Sequence, residues 1–239
     1  MNDLAERTLE RSIRKNDYPG RGLVIGRNGA GDWTLVYWIM GRSDHSRNRQ
    51  FVAERGVLRT QAFDPTKVVD PSLIIYEAML ELPGVQLVSN GDQTRTMYDA
   101  ISRGQSFETA LDTRAHEPDA PHYTPRISGV LDLRADEPRL SLAILRSNPV
   151  DPARTDRTFF RLALPPAGLG RGITTYAGDG NPLPTFSGEP LLLPLPGQGS
   201  ELLEHYWSAL DQNHRISLAV KTLARDGSCR ELLVRNRYV

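Results

Sequence analysis

A single cysteine, Cys229, stands in a chain of 239 residues. No disulfide can form within the chain, and a reducing compartment is the expected setting. Lysine is nearly missing as well: Lys15, Lys67 and Lys221 are the only three, and every other basic residue is arginine. There is no excess of charge, because 29 acidic side chains match 29 basic ones. No global field therefore draws the chain to nucleic acid or to an anionic membrane, and any anion site has to be local. Aromatic residues are 7% of the chain and are not interleaved with the arginines, which argues against base stacking on a nucleic acid. No apolar run approaches the ~20 residues that cross a bilayer. The charged opening MNDLAERTLERSIRK lacks the apolar core of a secretory signal, so a cytoplasmic, soluble protein is expected. The five histidines, His45, His116, His122, His205 and His214, include no H-x-x-x-H pair, and the cysteine has no companion. No metal is expected.

Two glycine clusters tempt a cofactor reading and fail it. Those between Gly26 and Gly31 are not followed by Gly-Lys-Ser/Thr, so they form no phosphate loop of the Walker kind. Gly168, Gly170 and Gly172 are spaced like a dinucleotide fingerprint, but Ile173 to Tyr176 reads as strand where that fingerprint needs a helix. No cofactor is expected. Ser12 and Lys15 match the S-x-x-K spacing of some acyl-transfer enzymes, yet no companion motif follows, and a solvated helix face explains them.

What is present is a series of short elements. Residues 3 to 15 read as a helix that Asp3 could cap, with Leu4, Leu9 and Ile13 near one face. Two strands joined by the turn Asn28 to Asp32 follow, the second being Trp33 to Met40. Residues 50 to 63 read as two short strands. Asp70-Pro71 could cap a helix, but the β-branching in Leu73 to Tyr76 favours a strand. Val85 to Ser89 is a strand, after which one helix stops at Gly104 and a second is capped by Ser106. Strands are expected at 127–133, 140–146 and 158–164. The stretch from Gly168 to Pro190 holds too many glycines and prolines for regular structure throughout. Ser200 is expected to cap an amphipathic helix, and a hairpin of 216–223 with 230–239, turning near Cys229, ends the chain. About ten strands and four helices, strands in runs and helices in runs, describe an α+β domain with antiparallel sheets. No repeat or linker divides it, so residues 1–239 read as one domain.

One stretch stands out chemically. The strand ending in Tyr37 to Met40 spills past Gly41 into a loop holding Arg42, Ser43, Ser46, Arg47, Asn48 and Arg49, with Asp44 its only carboxylate. Guanidiniums beside hydroxyls and an amide suit an oxyanion such as phosphate, which arginine grips with two parallel charge-assisted bonds. A solvated basic loop has the same composition, so the stretch alone leaves both readings open.

Further residues continue the pattern. Gly20-Arg21, Tyr37, Arg42-Ser43, Asn48-Arg49, Tyr76, Ser89-Asn90-Gly91 with Gln93-Thr94, and Thr124-Pro125-Arg126-Ile127 occur in this order. Together they resemble the archaeal-type inosine monophosphate cyclohydrolase family, and the longer YPGRG and GITTYAGDGNPLPTF stretches resemble its bacterial branch. The resemblance covers about residues 18 to 190. It implies a four-layer αββα sandwich of two antiparallel sheets, like the N-terminal-nucleophile hydrolases, and a homo-oligomer. It also implies closure of 5-formamidoimidazole-4-carboxamide ribotide to inosine monophosphate without metal or redox cofactor. By position, Arg21, Arg42 and Arg49 would hold the nucleoside monophosphate or polarise the formyl oxygen, with Tyr37, Ser43, Arg47 and Asn48 as further contacts. Tyr76 would be the proton donor, Asn90 a donor to the base carboxamide, and Arg126 an orienting group. The family carries a carboxylate upstream of Thr-Pro-Arg, and Glu117 is the nearest match. The residue directly before Thr124 is Tyr123, which is no acid, so the base is left open. Two other functions share these residues: a different nucleotide hydrolase on the same scaffold, or a nucleotide-binding module without catalysis.

Overall fold

Along the first two strands Leu23, Ile25, Leu35, Tyr37 and Ile39 alternate with Val24, Val36, Trp38 and Met40. Both sets are buried, in two different apolar clusters. A strand that is apolar on both faces must be covered on both. In the computed structural model, which describes residues 2–68, 71 and 74–238, a second sheet covers one face and helices cover the other.

The elements run α1 (Asn2–Leu9) with a π turn (Glu10–Arg14), β1 (Gly22–Arg27), β2 (Trp33–Met40), α2 (Asp44–Arg47), β3 (Gln50–Glu54), β4 (Val57–Gln61), β5 (Glu77–Leu82) and β6 (Val85–Ser89). They continue with α3 (Gln93–Ser102), α4 (Phe107–Asp112), β7 (Arg126–Asp132), β8 (Arg139–Ser147), β9 (Thr155–Leu162), β10 (Leu169–Thr174), β11 (Leu191–Pro194), α5 (Gly199–Ala209), β12 (Arg215–Leu223) and β13 (Cys229–Asn236). A six-stranded sheet has the order β11-β10-β1-β2-β12-β13 and a seven-stranded sheet the order β3-β4-β5-β6-β7-β8-β9. All the pairings are antiparallel. One cluster, with Leu35, Tyr37, Met79, Val88 and Ile127, lies between the sheets. A second packs α1 and α5 on the outer face of the six-stranded sheet, and a third packs α3 and α4 on the outer face of the other. The layers are therefore α, β, β, α, the four-layer α+β sandwich that the resemblance implied. No helix among the described residues is long and apolar enough to cross a membrane.

Polar side chains join the two sheets at places where apolar packing cannot. Asn236, at the end of β13, accepts from the Phe51 backbone N–H at 2.9 Å and donates to the Phe51 carbonyl at 3.0 Å. Its amide thus makes both bonds that a paired strand residue would make, and Ser217 donates to its oxygen at 2.7 Å. Lys221 of β12 is fully buried and donates to Glu81 of β5 at 2.6 Å and to the Gly56 carbonyl at 3.0 Å.

Several sequence expectations shift. Residues 74–76 are not in a strand: the Pro71 carbonyl accepts from both Ile74 and Ile75 N–H in a turn, and β5 starts at Glu77. Asp70 and Leu73 lie outside the described residues. The strand expected at 158–164 starts three residues earlier and ends two earlier, as β9. Among the described residues thirteen strands stand where about ten were expected: β5 and β11 were not read from their composition, and β10 lies in the glycine- and proline-rich stretch from Gly168. Ser200 is inside α5, whose cap residue is Gln198, and Asp3 lies in the first turn of α1, paired with Arg7 at 3.0 Å. Leu4 is exposed, since the buried stripe of the first helix is Ala5, Leu9 and Ile13 at four-residue spacing. The loop after Gly41 contains a helical turn, α2. Its start is fixed by a capping box in which Ser43 accepts from the Ser46 N–H and the Ser46 hydroxyl accepts from the Ser43 N–H.

Candidate active site

The candidate residues collect at one end of the sandwich, where β1, β5 and β7 begin and β2, β6 and β10 finish. Gly20 turns the chain into β1 at φ +72°, and a Cβ there would collide with Thr175 Oγ1 and the Tyr176 ring. Only glycine accepts both the conformation and the approach. The Arg21 N–H then donates to Thr175 Oγ1 at 3.0 Å, and the Thr175 N–H donates back to the Arg21 carbonyl at 2.8 Å.

From that anchor the Arg21 side chain crosses toward the other sheet. Nη1 donates to Glu117 Oε1 at 2.6 Å and to the Asn90 carbonyl at 3.2 Å, and Nη2 donates to Glu117 Oε2 at 3.2 Å. The pair is bidentate and almost dry, with side chains 12% and 2% exposed. Burial weakens the charge on Arg21, but Glu117, Tyr76 and Tyr176 together outweigh it and hold the guanidinium well above its ordinary value. Burial pushes the Glu117 carboxyl up, with Arg21 pulling against it.

Glu117 arrives there by a turn. Its N–H donates to the Thr124 carbonyl at 2.9 Å, so the seven-residue gap to Thr-Pro-Arg closes and the carboxylate stands beside that motif. Asp119 holds the turn, accepting from the Thr124 N–H at 2.6 Å and from Thr124 Oγ1 at 2.5 Å. The carboxylate that sequence spacing left in doubt is thus brought to the motif by folding.

Tyr37 and Tyr76 share a hydroxyl–hydroxyl bond of 2.7 Å in the interior. Tyr76 is placed by Thr60, whose Oγ1 accepts from the Tyr76 N–H at 2.9 Å and whose N–H donates to the Tyr76 carbonyl at 2.9 Å. The pairing of β4 with β5 slips beside it, Leu58 facing Met79 and Arg59 facing Glu77, which leaves Ala78 as an extra residue. Such a bulge re-aims the side chains near it. Burial, and then the neighbouring Tyr76, push the Tyr37 phenol well up, against Arg21 and Arg49.

Asn90 and Arg126 are committed to the protein. The Asn90 amide donates to the Pro125 carbonyl at 2.9 Å and accepts from the Ile127 N–H at 2.8 Å and from Gln93 at 3.0 Å. It fixes the start of β7 and does not cap α3, whose cap residue is Asp92. Arg126 donates to the Ala115 carbonyl at 2.9 Å, and to Asp92 and Gln93 at 2.8 Å each. It is buried, not a surface arginine.

The arginine loop adjoins this group through Met40. Arg49 is 2% exposed and donates to the Met40 and Ser46 carbonyls at 3.2 and 2.9 Å. It has no carboxylate partner among the described residues, which leaves a buried cation without a counter-charge. Arg47 donates to the Gly41 carbonyl at 3.1 Å and likewise has no acid. Arg42 pairs with Asp179, donates to the Gly180 carbonyl at 2.9 Å and lies over the Tyr18 ring at 5.2 Å. Asn48 is a clasp, both ends of its amide being held by the Asp64 backbone at 2.7 and 2.8 Å. Ser43 is exposed and occupied by the cap of α2.

Sequence reasoning passed over Tyr18, Asp119, Tyr176 and Asp179 as site residues. Tyr18 and Tyr176 stack with ring centroids 5.8 Å apart, bridging the arginine loop to Arg21. Tyr18, Tyr176 and Asp179 lie in the YPGRG and GITTYAGDG stretches, which was the available signal. The nearest opening is a pocket of about 230 Å³ lined by Arg59, Thr60, Ile75, Tyr76, Glu77, Asp92 and Arg95. A cavity of about 860 Å³ lies at the far end of the seven-stranded sheet beside Phe107 and Leu140 and holds none of these groups.

A family model described as IMP cyclohydrolase-like protein matches residues 18–227. No curated relative matches the chain.

Proposed function

The chain belongs to the IMP cyclohydrolase-like family, and on that premise we propose that it closes 5-formamidoimidazole-4-carboxamide ribotide to inosine monophosphate with loss of water. The observation that carries this reading is the convergence of a dry Arg21–Glu117 pair and a buried Tyr37–Tyr76 hydroxyl pair on one end of the sandwich, beside an arginine without a counter-ion.

The reaction demands what those groups supply. The carboxamide nitrogen must attack the formyl carbon, give a carbinolamine and then expel the hydroxyl. An amide nitrogen is a weak nucleophile, so holding it in near-attack geometry against the formyl group lowers the barrier by up to roughly 7–11 kcal/mol. Arg21, immobilised by Glu117, points charge-bearing N–H groups at the developing oxyanion, an effect worth about 3 kcal/mol per donor. Tyr76 protonates the departing hydroxyl, with Tyr37 behind it as the hydroxyl partner, a contribution of about 10²–10⁴-fold. Arg49 and Arg42 take the ribotide phosphate. Asn90 and Arg126 act indirectly, by fixing the Thr-Pro-Arg strand start that carries the carboxylate turn.

Purified protein given the formamido ribotide should raise the absorbance that accompanies purine ring closure. A rate no faster than the uncatalysed reaction, from protein that is folded and binds inosine monophosphate, would mean a nucleotide-binding module instead. Tighter binding of an unrelated nucleotide would point to a different hydrolase.

A further inference from the structure

The Tyr176 hydroxyl lies 2.5 Å from Thr124 Oγ1, and Thr124 Oγ1 lies 2.5 Å from Asp119 Oδ2. The direction of this chain follows from proton counting. An ionised carboxylate only accepts, and a threonine hydroxyl has one hydrogen. Thr124 must donate to Asp119, so Tyr176 must donate to Thr124. The free lone pairs of the Tyr176 oxygen then face away from Thr124; the Tyr176 ring packs against Gly20, next to Arg21, and Thr124 itself accepts the Glu117 N–H on its carbonyl. Its ring is buried and stacked on Tyr18, while Asp119 at the other end of the chain is half-exposed.

We propose that Tyr176, Thr124 and Asp119 form a proton relay that accepts the proton of the attacking amide and delivers it to solvent. The inference rests on the cyclohydrolase reading and supplies the base that reading lacks. Glu117 is the nearer carboxylate, but both its oxygens are held by Arg21 and it is buried, so a proton placed there has no way out. As the nitrogen–carbon bond forms, the amide proton passes to the Tyr176 oxygen while the Tyr176 hydrogen passes to Thr124 and the Thr124 hydrogen to the Asp119 carboxylate. The formyl oxygen takes up the electron pair of its carbonyl bond and a proton from Tyr76, whose phenolate regains one from water at the opening beside Thr60. In the expulsion Tyr76 gives that proton to the departing hydroxyl, which leaves as water, and takes up the formamido N–H proton. Asp119, now neutral, exchanges its proton with water. Burial pushes the Tyr176 phenol up while Arg21 pulls it down, so the ring conducts as a neutral hydroxyl and does not store charge. Tyr176 is the catalytic residue of the chain, and Thr124 and Asp119 act through it.

The test uses the full-length protein with Thr124→Val, which keeps shape and loses the hydroxyl, Thr124→Ser, which keeps the hydroxyl, and Asp119→Asn, which keeps an acceptor and loses the base. Thr124→Val and Asp119→Asn should lower kcat by about 10²-fold with little change in KM, and Thr124→Ser should stay within about 3-fold of wild type. The solvent deuterium effect should depend on isotope fraction as a multi-proton step in wild type and as a single-proton step in Thr124→Val. The relay is overturned if Thr124→Val keeps wild-type kcat, or if Thr124→Ser is as impaired as Thr124→Val, which is what a purely structural turn predicts. If the wild type does not turn over the ribotide, the cyclohydrolase reading fails on its own account. The hydrogen-bonded chain is then read by ring-labelled tyrosine NMR, in which the Tyr176 ring signals should move in Thr124→Val and stay near wild type in Thr124→Ser. Unmoved signals in Thr124→Val rule the chain out.

Discussion

Arg21 and Glu117 meet across the sandwich, the arginine entering from the six-stranded sheet and the glutamate from a turn on the seven-stranded one, with both carboxylate oxygens engaged. The contact is structural and chemical at once. It ties two layers together at their open end, and it fixes the direction in which the Arg21 guanidinium points.

Removing one partner should therefore cost stability. Arg21→Ala leaves a buried carboxylate unpaired, a change worth about 3–5 kcal/mol. Without Arg21 the upward push of burial on Glu117 is less opposed, and its folded value rises further above the unfolded one. Such a carboxyl favours the folded state most below its unfolded value and loses that contribution as pH rises through its folded value. In urea denaturation the gap between Arg21→Ala and wild type should narrow as the buffer is taken from neutral to mildly acidic.

The two tyrosines of the hydroxyl pair should not behave alike. Tyr76→Phe removes the group proposed to meet the leaving hydroxyl and should lower kcat by about 10²–10⁴-fold, leaving KM near wild type. Tyr37→Phe removes only its partner, and about a 10-fold loss is expected by the same reasoning. Steady-state ring closure followed by absorbance distinguishes them, and equal losses would place both tyrosines on the substrate.

Arg49→Met keeps bulk and deletes a buried charge that has no acid of its own. Inosine monophosphate should bind about 10–100-fold more weakly, equivalent to roughly 1.5–3 kcal/mol for bonds to a charged group. Inosine, which has no phosphate, should bind the variant and the wild type alike. Calorimetry with both ligands checks the claim, and an equal loss for inosine would move the phosphate elsewhere.

Gly20→Ala should be more damaging than its size suggests. The backbone is left-handed there and the methyl would enter the space of Thr175 and Tyr176. A cost of about 1–3 kcal/mol is expected from the conformation alone. Because Arg21 is the next residue, kcat should fall in protein that is still folded by circular dichroism.

Local chemistry in the sequence reached the layers of the fold but not every junction. Leu23 to Ile25 and Leu35 to Met40 are continuous apolar runs, so β1 and β2 could be read directly. Tyr76 reads as part of a strand but stands just before β5, because only its carbonyl pairs with the β4 backbone while its N–H is held by the Thr60 hydroxyl. Ser43 and Arg49 look equivalent in a string of polar residues. In the structure one is consumed by a capping box and the other is buried without a counter-ion. Glu117 shows the limit most clearly. Its role depends on a turn that Asp119 organises, and a hydrogen bond between distant side chains and backbone leaves no periodicity to read.

Asn236 carries a consequence of another kind. β3 and β13 are each the outermost strand of a sheet, and outermost strands expose N–H and C=O groups that can recruit another chain. By presenting its amide to Phe51 as though it were a strand backbone, Asn236 occupies both main-chain groups of one residue on the outermost strand β3. A side chain thereby stands where a further strand would otherwise pair, and it does so from the border of the opposite sheet.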